Sequence, residues 1–329
     1  MNPAPAHLEL TTAPHVHAPI STPRVMYEVV AALLPVIAAA AYFFGVTAIL
    51  MVATGAAVAA LTEWAFSDRQ GLGTLRDGSA LLTGALLALT LPPALPLWMV
   101  ALGAAVAIAL GKLVLGGLGH NLFNPALVGR AFLQAAFPTT MTTWSAPGQG
   151  FWHIESATVA PPMLHAAVDV VSAASPLGLV KFEQKTTELL PLVTGNVAGS
   201  LGETSAVVLV VVGVVLGLRK VFDWRLPVAT LATVVVFSGV LWLFGLSPSP
   251  AFMLSSGGLL FGAVFMCTDP VTTPVTAKGA WYFGLGVGVL VVLIRNFGGL
   301  PEGVMYAILL MNAATPLLNR VSQPRRLGG

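Results

Sequence analysis

Apolar runs dominate this chain so thoroughly that they decide its solvent before they decide its fold. Ten of them recur along its 329 residues: Val25–Phe44, Val46–Phe66, Ser79–Leu91, Leu97–Leu115, Asn124–Phe137, Ser205–Leu218, Leu226–Phe244, Ala251–Met266, Ala280–Ile294 and Glu302–Leu318. A helix needs about 20 mostly apolar residues to cross a bilayer core, and shorter ones are tolerated where protein covers their ends. Charged residues make up only 9% of the chain, against roughly 25% in a soluble domain, so ten such helices cannot be given a water-compatible surface. The expectation is an all-α polytopic membrane protein. Ser79–Leu91, Asn124–Phe137 and Ser205–Leu218 are short for spans, and short or Gly/Pro-interrupted segments in corresponding places point to a site at a repeat interface.

Lys and Arg set the orientation of such a chain. With the N-terminus cytoplasmic, Arg24, Arg69, Arg76, Lys112, Arg219, Lys220, Arg225, Lys278, Arg320, Arg325 and Arg326 fall inside, Lys181, Lys185 and Arg295 fall outside, and Arg130 lies within a span. Both termini are then cytoplasmic. A repeat relates the halves: Ser79–Pro92 and Gly257–Pro270 share Leu81/Leu259, Leu82/Leu260, Gly84/Gly262, Ala85/Ala263, Thr90/Thr268 and Pro92/Pro270. Each copy is the third span of its half, and five is odd, so the second half is expected to run inverted. The organisation expected is a tail over 1–23, a five-helix repeat over 24–137, an extracytoplasmic loop over 138–204, a second five-helix repeat over 205–318, and a tail over 319–329. The first tail lacks the basic and apolar regions of a signal peptide.

Little in the chain suggests chemistry of its own. The single cysteine, Cys267, cannot alone hold an iron–sulfur cluster or zinc and reads as a packing residue. No His/Glu pair of the loop has metal-ligand spacing, and no catalytic group is identified. Ser172 and Ser175 read first as loop hydroxyls that cap a turn or helix, with Pro176 suited to a first helical position. Asn124-Pro125 reads the same way. An ionisable residue in a span is a functional candidate by default, which singles out Arg130 as a holder of an anion or a carboxylate. Asp269 reads as a helix end near water, Glu302 as a first-turn acid favourable to the helix dipole, and Glu203 as a cap or as a contact of the loop site.

Motifs spread from about Tyr27 to Leu318 resemble one family. They are Asp77-Gly-Ser-Ala-Leu81, Leu89-Thr-Leu-Pro-Pro93, Gly116-Gly-Leu-Gly119, Asn121-Leu-Phe-Asn-Pro-Ala126, Gly129-Arg-Ala-Phe132, Gly199-Ser-Leu-Gly-Glu-Thr-Ser205, Thr268-Asp-Pro-Val-Thr272 and Pro301-Glu-Gly303. The family is that of the RnfD component of Rnf ion-translocating ferredoxin:NAD oxidoreductases, which is similar to the NqrB component of the sodium-translocating NADH:quinone oxidoreductase (RnfD/NqrB family). The resemblance implies FMN joined by its phosphate to a hydroxyl in a pattern like D-[GA]-x-[ST]-[GAS]-A-[TS]. Asp169, Ser172 and Ala174 fit that pattern, with Ser175 as acceptor and Ser172 as the alternative. Val170 stands where a small residue is usual, and Ser175 where threonine is commoner.

The resemblance also implies a noncovalent riboflavin nearer the cytoplasm, for which Asn121 and Asn124 offer both donors and acceptors; Arg130 is a further possible flavin contact. It implies partners as well: other membrane and peripheral Rnf subunits, a second covalent-flavin subunit and a flavin transferase, in the bacterial inner membrane. The chain has no Gly-x-Gly-x-x-Gly after a strand and no cysteine cluster, so NAD and ferredoxin are expected to bind elsewhere. The implied function is electron carriage within a complex that couples ferredoxin:NAD electron transfer to Na+ or H+ movement. A redox-inactive channel or small-solute transporter is the alternative for an inverted five-plus-five architecture.

Overall fold

The computed structural model describes residues 21–66, 75–148, 150–162, 172–203 and 205–323, and for residues 172 and 173 the backbone alone. The first long helix, α1 (Thr22–Phe44), stops at Gly45, whose φ of 68° suits glycine and leaves no room for a Cβ, 2.5 Å from the Phe151 carbonyl. The chain turns there directly into α2 (Val46–Phe66), and Phe151 O accepts the Val46 N–H at 2.8 Å. Asp77 then starts α3 (Ser79–Leu89) by accepting the Ser79 N–H at 2.8 Å and its hydroxyl at 2.6 Å. At 1.5 Å per residue these 11 residues rise roughly 16 Å, about half a bilayer core. The helix is buried on nearly every side, and the backbones of Gly84 and Gly55 of α2 meet so closely that neither tolerates a side chain.

The helix α4 (Leu97–Ile108) runs on as a π-helical turn, Ala109–Leu113. Then α5 (Pro125–Ala136) starts as the Asn124-Pro125 pattern suggests, with Asn124 Oδ1 accepting the Leu127 N–H at 3.3 Å. A short helix, α6 (Pro138–Met141), leads into the connecting loop. Strands β1 (Trp144–Ser145) and β2 (Ser172–Ala173) pair there antiparallel, Trp144 with Ala173 and Ser145 with Ser172. The loop goes on through α7 (Pro176–Gly178), a π turn at Leu179–Glu183, and α8 (Leu189–Thr194).

The second half contains α9 (Ala206–Leu218), α10 (Arg225–Leu243), α11 (Pro250–Ser255), α12 (Leu259–Phe261) continued by a π turn at Gly262–Met266, α13 (Ala277–Phe297) and α14 (Val304–Ser322). Each of the ten expected segments is helical. Five helices (α1, α2, α10, α13 and α14) are long and apolar enough to cross a membrane, and the others are shorter. Ala251–Met266 is not one rod: it breaks at Ser256–Gly258, where Gly257 takes φ 65°.

The two repeat copies are the centre of the core. Residues 82–89 and 259–267 are buried throughout, Cys267 among them at 0% exposed. Around them the outer surface is apolar, as on α9, where Val210, Val211, Val214 and Leu218 are exposed. That inversion of the soluble pattern marks a multi-pass membrane protein.

Candidate functional site

A cavity of about 510 Å³, open to solvent, lies where the loop meets α5 and the start of α14. One wall belongs to the loop: Trp144, Ala174, Ser175, Gly178, Phe182 and Glu183. Residues 299–302 at the foot of α14, with Met305 and Tyr306, form the other, and α5 contributes Arg130 and Gln134, four apart and therefore on one helical face. Ser175 is half-buried and is the N-cap of α7, its Oγ accepting the Gly178 N–H at 3.2 Å, with Pro176 first in the helix. The capping reading is thus borne out. Ser175 also lines the cavity, and the cap uses its oxygen only as an acceptor. Ala174 beside it is exposed. Ser172 has its backbone in β2 and its side chain outside the described residues, where Asp169 and Val170 also lie.

Under this cavity four charged side chains meet in a buried layer. Arg130, 8% exposed, donates from Nη1 to the Thr90 carbonyl at 2.6 Å, at the end of α3, while its Nε is buried without a partner. Arg295 turns inward from the last turn of α13 and donates to Met253 O (2.7 Å), Ser256 O (3.0 Å) and Glu302 Oε1 (3.3 Å). Glu302 in turn accepts the N–H groups of Gly258 and Val304; it stands just before the Gly303 N-cap of α14 and not in the first turn as expected, because the helix begins only at Val304, and it adds an ion pair. Glu203 accepts the Ser200 N–H at 3.4 Å and feels both Arg130 and Glu302. It is not the cap of α9. Ser205 is, through Val208 N–H at 3.4 Å. A narrow space of about 20 Å³ inside this layer shares Arg130, Glu302 and Met305 with the cavity above.

Arg295, expected outside as a loop charge, is a site residue that the sequence does not reveal. Its side chain is 1% exposed. Lys181 is a second, joined to the end of α13 by its ammonium.

A second, smaller cavity, of about 70 Å³, lies between the two repeat copies. Ser79, Thr83, Lys112, Asn121, Asn124, Thr268 and Asp269 supply its polar lining, and apolar side chains the rest. Asn124 is largely committed: its Oδ1 caps α5, and its N–H donates to Asn312 Oδ1 at 3.3 Å. Asn121 is different. It is 8% exposed, and its Oδ1 is buried without a partner, an acceptor that a ligand N–H would satisfy. Asp269 ends its helix as expected, accepting the Val271 N–H at 3.0 Å.

The family model described as NQR2, RnfD, RnfE matches residues 9–328. The chain belongs to this family. It is 40% identical to the RnfD-type component of a proton-translocating ferredoxin:NAD(+) oxidoreductase complex of Clostridium ljungdahlii, over 97% of this chain and 96% of that protein. It is 38% identical to the corresponding component of a Na(+)-translocating ferredoxin:NAD(+) oxidoreductase complex of Acetobacterium woodii, over 98% and 96%. It is 36% identical to that of an ion-translocating oxidoreductase complex of Actinobacillus succinogenes, over 97% and 98%.

The segments that carry the family resemblance gather around the two cavities. Residues 77–81, 121–126 and 268–272 contribute to the second one. Residues 129–132, 199–205 and 301–303 bring Arg130, Glu203 and Glu302 to the buried charged layer under the loop.

Proposed function

We propose that this NQR2, RnfD, RnfE family protein is the membrane electron-carrier subunit of an Rnf-type complex, which couples ferredoxin:NAD electron transfer to Na+ or H+ translocation, with FMN esterified through its phosphate to Ser175. One observation carries the reading. Ser175 and Arg130 both line one cavity of about 510 Å³, within the roughly 300–1,000 Å³ of small-molecule and cofactor pockets. A bound flavin supplies a carrier that passes electrons singly or in pairs, and the protein's share is placement and tuning. Arg130 provides positive charge where reduction adds negative charge. Trp144, Phe182 and Tyr306 offer aromatic surface to a planar ring, and Ser175 keeps its Oγ within the cap, which an ester oxygen also permits.

The second cavity, at about 70 Å³, would have to widen to admit the noncovalent riboflavin, and its chemistry is what favours it. Its free Asn121 acceptor matches an imide N–H, and its apolar walls match the ring. The chain folds here into ten spans as two inverted five-helix repeats. This is supported by the mirrored packing of α2 with α4 and α4 with α5 against α10 with α13 and α13 with α14. It is supported also by the fifth span of each half: Arg130 reaches the carbonyl of Thr90 and Asn312 that of Thr272, each just past the third span. In this arrangement both termini are cytoplasmic and the Ser175 loop periplasmic. The other Rnf subunits, a second covalent-flavin subunit among them, hold the ferredoxin and NAD sites, and a flavin transferase loads Ser175.

Peptide mass spectrometry of the protein purified with its complex tests the attachment. The FMN mass is expected on the peptide containing Ser175, localised to that residue by fragmentation. An unmodified peptide, or a label on Ser172, refutes the assignment.

A further inference from the structure

Lys181 lies six residues after Ser175, in the π turn that follows α7. Its ammonium donates to three main-chain carbonyls at the far side of the cavity: Ile294 at 3.3 Å, Arg295 at 3.0 Å and Leu300 at 2.9 Å. The first two belong to the last turn of α13, where a cation is favoured; Ile294 O also accepts the Gly298 N–H at 2.9 Å. Burial draws the lysine pKa below its ordinary value, so the ammonium is held against desolvation by these three acceptors. Leu300 is itself part of the cavity wall opposite Ser175. Lys181 therefore ties one wall to the other. From α13 the connection continues inward, since Arg295 grips Met253 O, Ser256 O and Glu302.

The same segment has a separate apolar anchor, in which Leu177 packs with Leu192 and Phe252. That anchor keeps α7 seated when the lysine is lost. Lys185, four residues further, carries the same charge but is exposed, and it pairs with Glu183 at 3.1 Å.

We propose that Lys181 is a positioning residue for the loop-borne flavin: by locking the Ser175 segment to the α13–α14 corner, it sets the separation between the attached ring and Arg130. This rests on the assignment of FMN to Ser175. Removing the lock leaves the flavin attached but lets it drift from the guanidinium, so its reduction becomes less favourable.

The test is a spectroelectrochemical titration of the covalent flavin in the intact complex, alongside in-gel fluorescence and an assembly check. In Lys181→Met the fluorescent band and assembly are expected to persist, while the one-electron equilibrium moves about tenfold toward the oxidised form, equivalent to about 59 mV. Lys181→Arg, whose guanidinium reaches the same carbonyls, is expected to restore wild-type behaviour to within about twofold. Lys185→Met removes the same charge from the same segment and is expected to change nothing. An unshifted Lys181→Met, or an equal shift in Lys185→Met, overturns the positioning role while leaving the attachment intact. Loss of labelling or assembly in Lys181→Met makes the residue one of folding and also overturns it. A dark wild-type band overturns the attachment and this inference together.

Discussion

The ion pair of Lys112 and Glu63 offers the sharpest energetic test of how this membrane core is held. Lys112 Nζ stands 2.7 Å from both carboxylate oxygens of Glu63 and 2.6 Å from Ser79 Oγ, and both charged side chains are 3% exposed. All three ammonium protons are thus committed, within the π turn that ends α4. Removing either partner leaves an uncompensated buried charge, at a cost of about 3–5 kcal/mol, whereas replacing both with apolar residues of similar volume is neutral or stabilising. Lys112→Met and Glu63→Leu are therefore each expected to destabilise by about 3 kcal/mol or more, and the double variant by far less than their sum, for a coupling of at least about 3 kcal/mol. Reversible unfolding in mixed detergent micelles, followed by tryptophan fluorescence, measures all four corners of the cycle. Single variants within about 1 kcal/mol of wild type, or a double variant equal to the sum, would refute the reasoning.

Arg130→Ala is expected to lower electron transfer through the complex and the flavin's reduction potential. It removes a charge-assisted bond of about 1.5–3 kcal/mol at Thr90 O together with the cavity's cation; unchanged flavin content, assembly and electron transfer would dismiss the role. Asn121→Leu is expected to lose noncovalent flavin, measured in the supernatant after acid precipitation, while covalent fluorescence stays. An N–H left unpaired costs about 1–3 kcal/mol, or roughly 5- to 150-fold in affinity. Gly84→Ala is expected to destabilise by about 1–3 kcal/mol, because its new methyl would collide with the Gly55 backbone; thermal unfolding of the purified protein reads this.

Helices and their limits are legible in the sequence because hydropathy responds directly to burial in lipid. Asn124-Pro125 and Ser175-Pro176 announce helix starts that exist, since capping depends on neighbouring residues alone. Contacts across the fold are not legible. Hydropathy averages over Ser256–Gly258 and cannot register the break, which is set by Glu302 and Arg295 crowding Gly257 from more than 35 residues away. Arg295 reads as a loop charge because charge statistics record position and not direction, and its long side chain turns back into the protein. Lys181 falls in the same class by sequence, yet its acceptors are carbonyls 113 to 119 residues distant. Glu203 reads as a cap from its place before α9, but Ser205 is adjacent to the first helical residue and caps it instead.

The central claim is that Ser175 carries FMN covalently, and it is tested most directly by producing the full complex with its flavin transferase and viewing a denaturing gel under ultraviolet light. The account predicts a fluorescent band for wild type and Ser175→Thr, and a dark one for Ser175→Ala. A dark wild-type band, or an undimmed Ser175→Ala band, would contradict it.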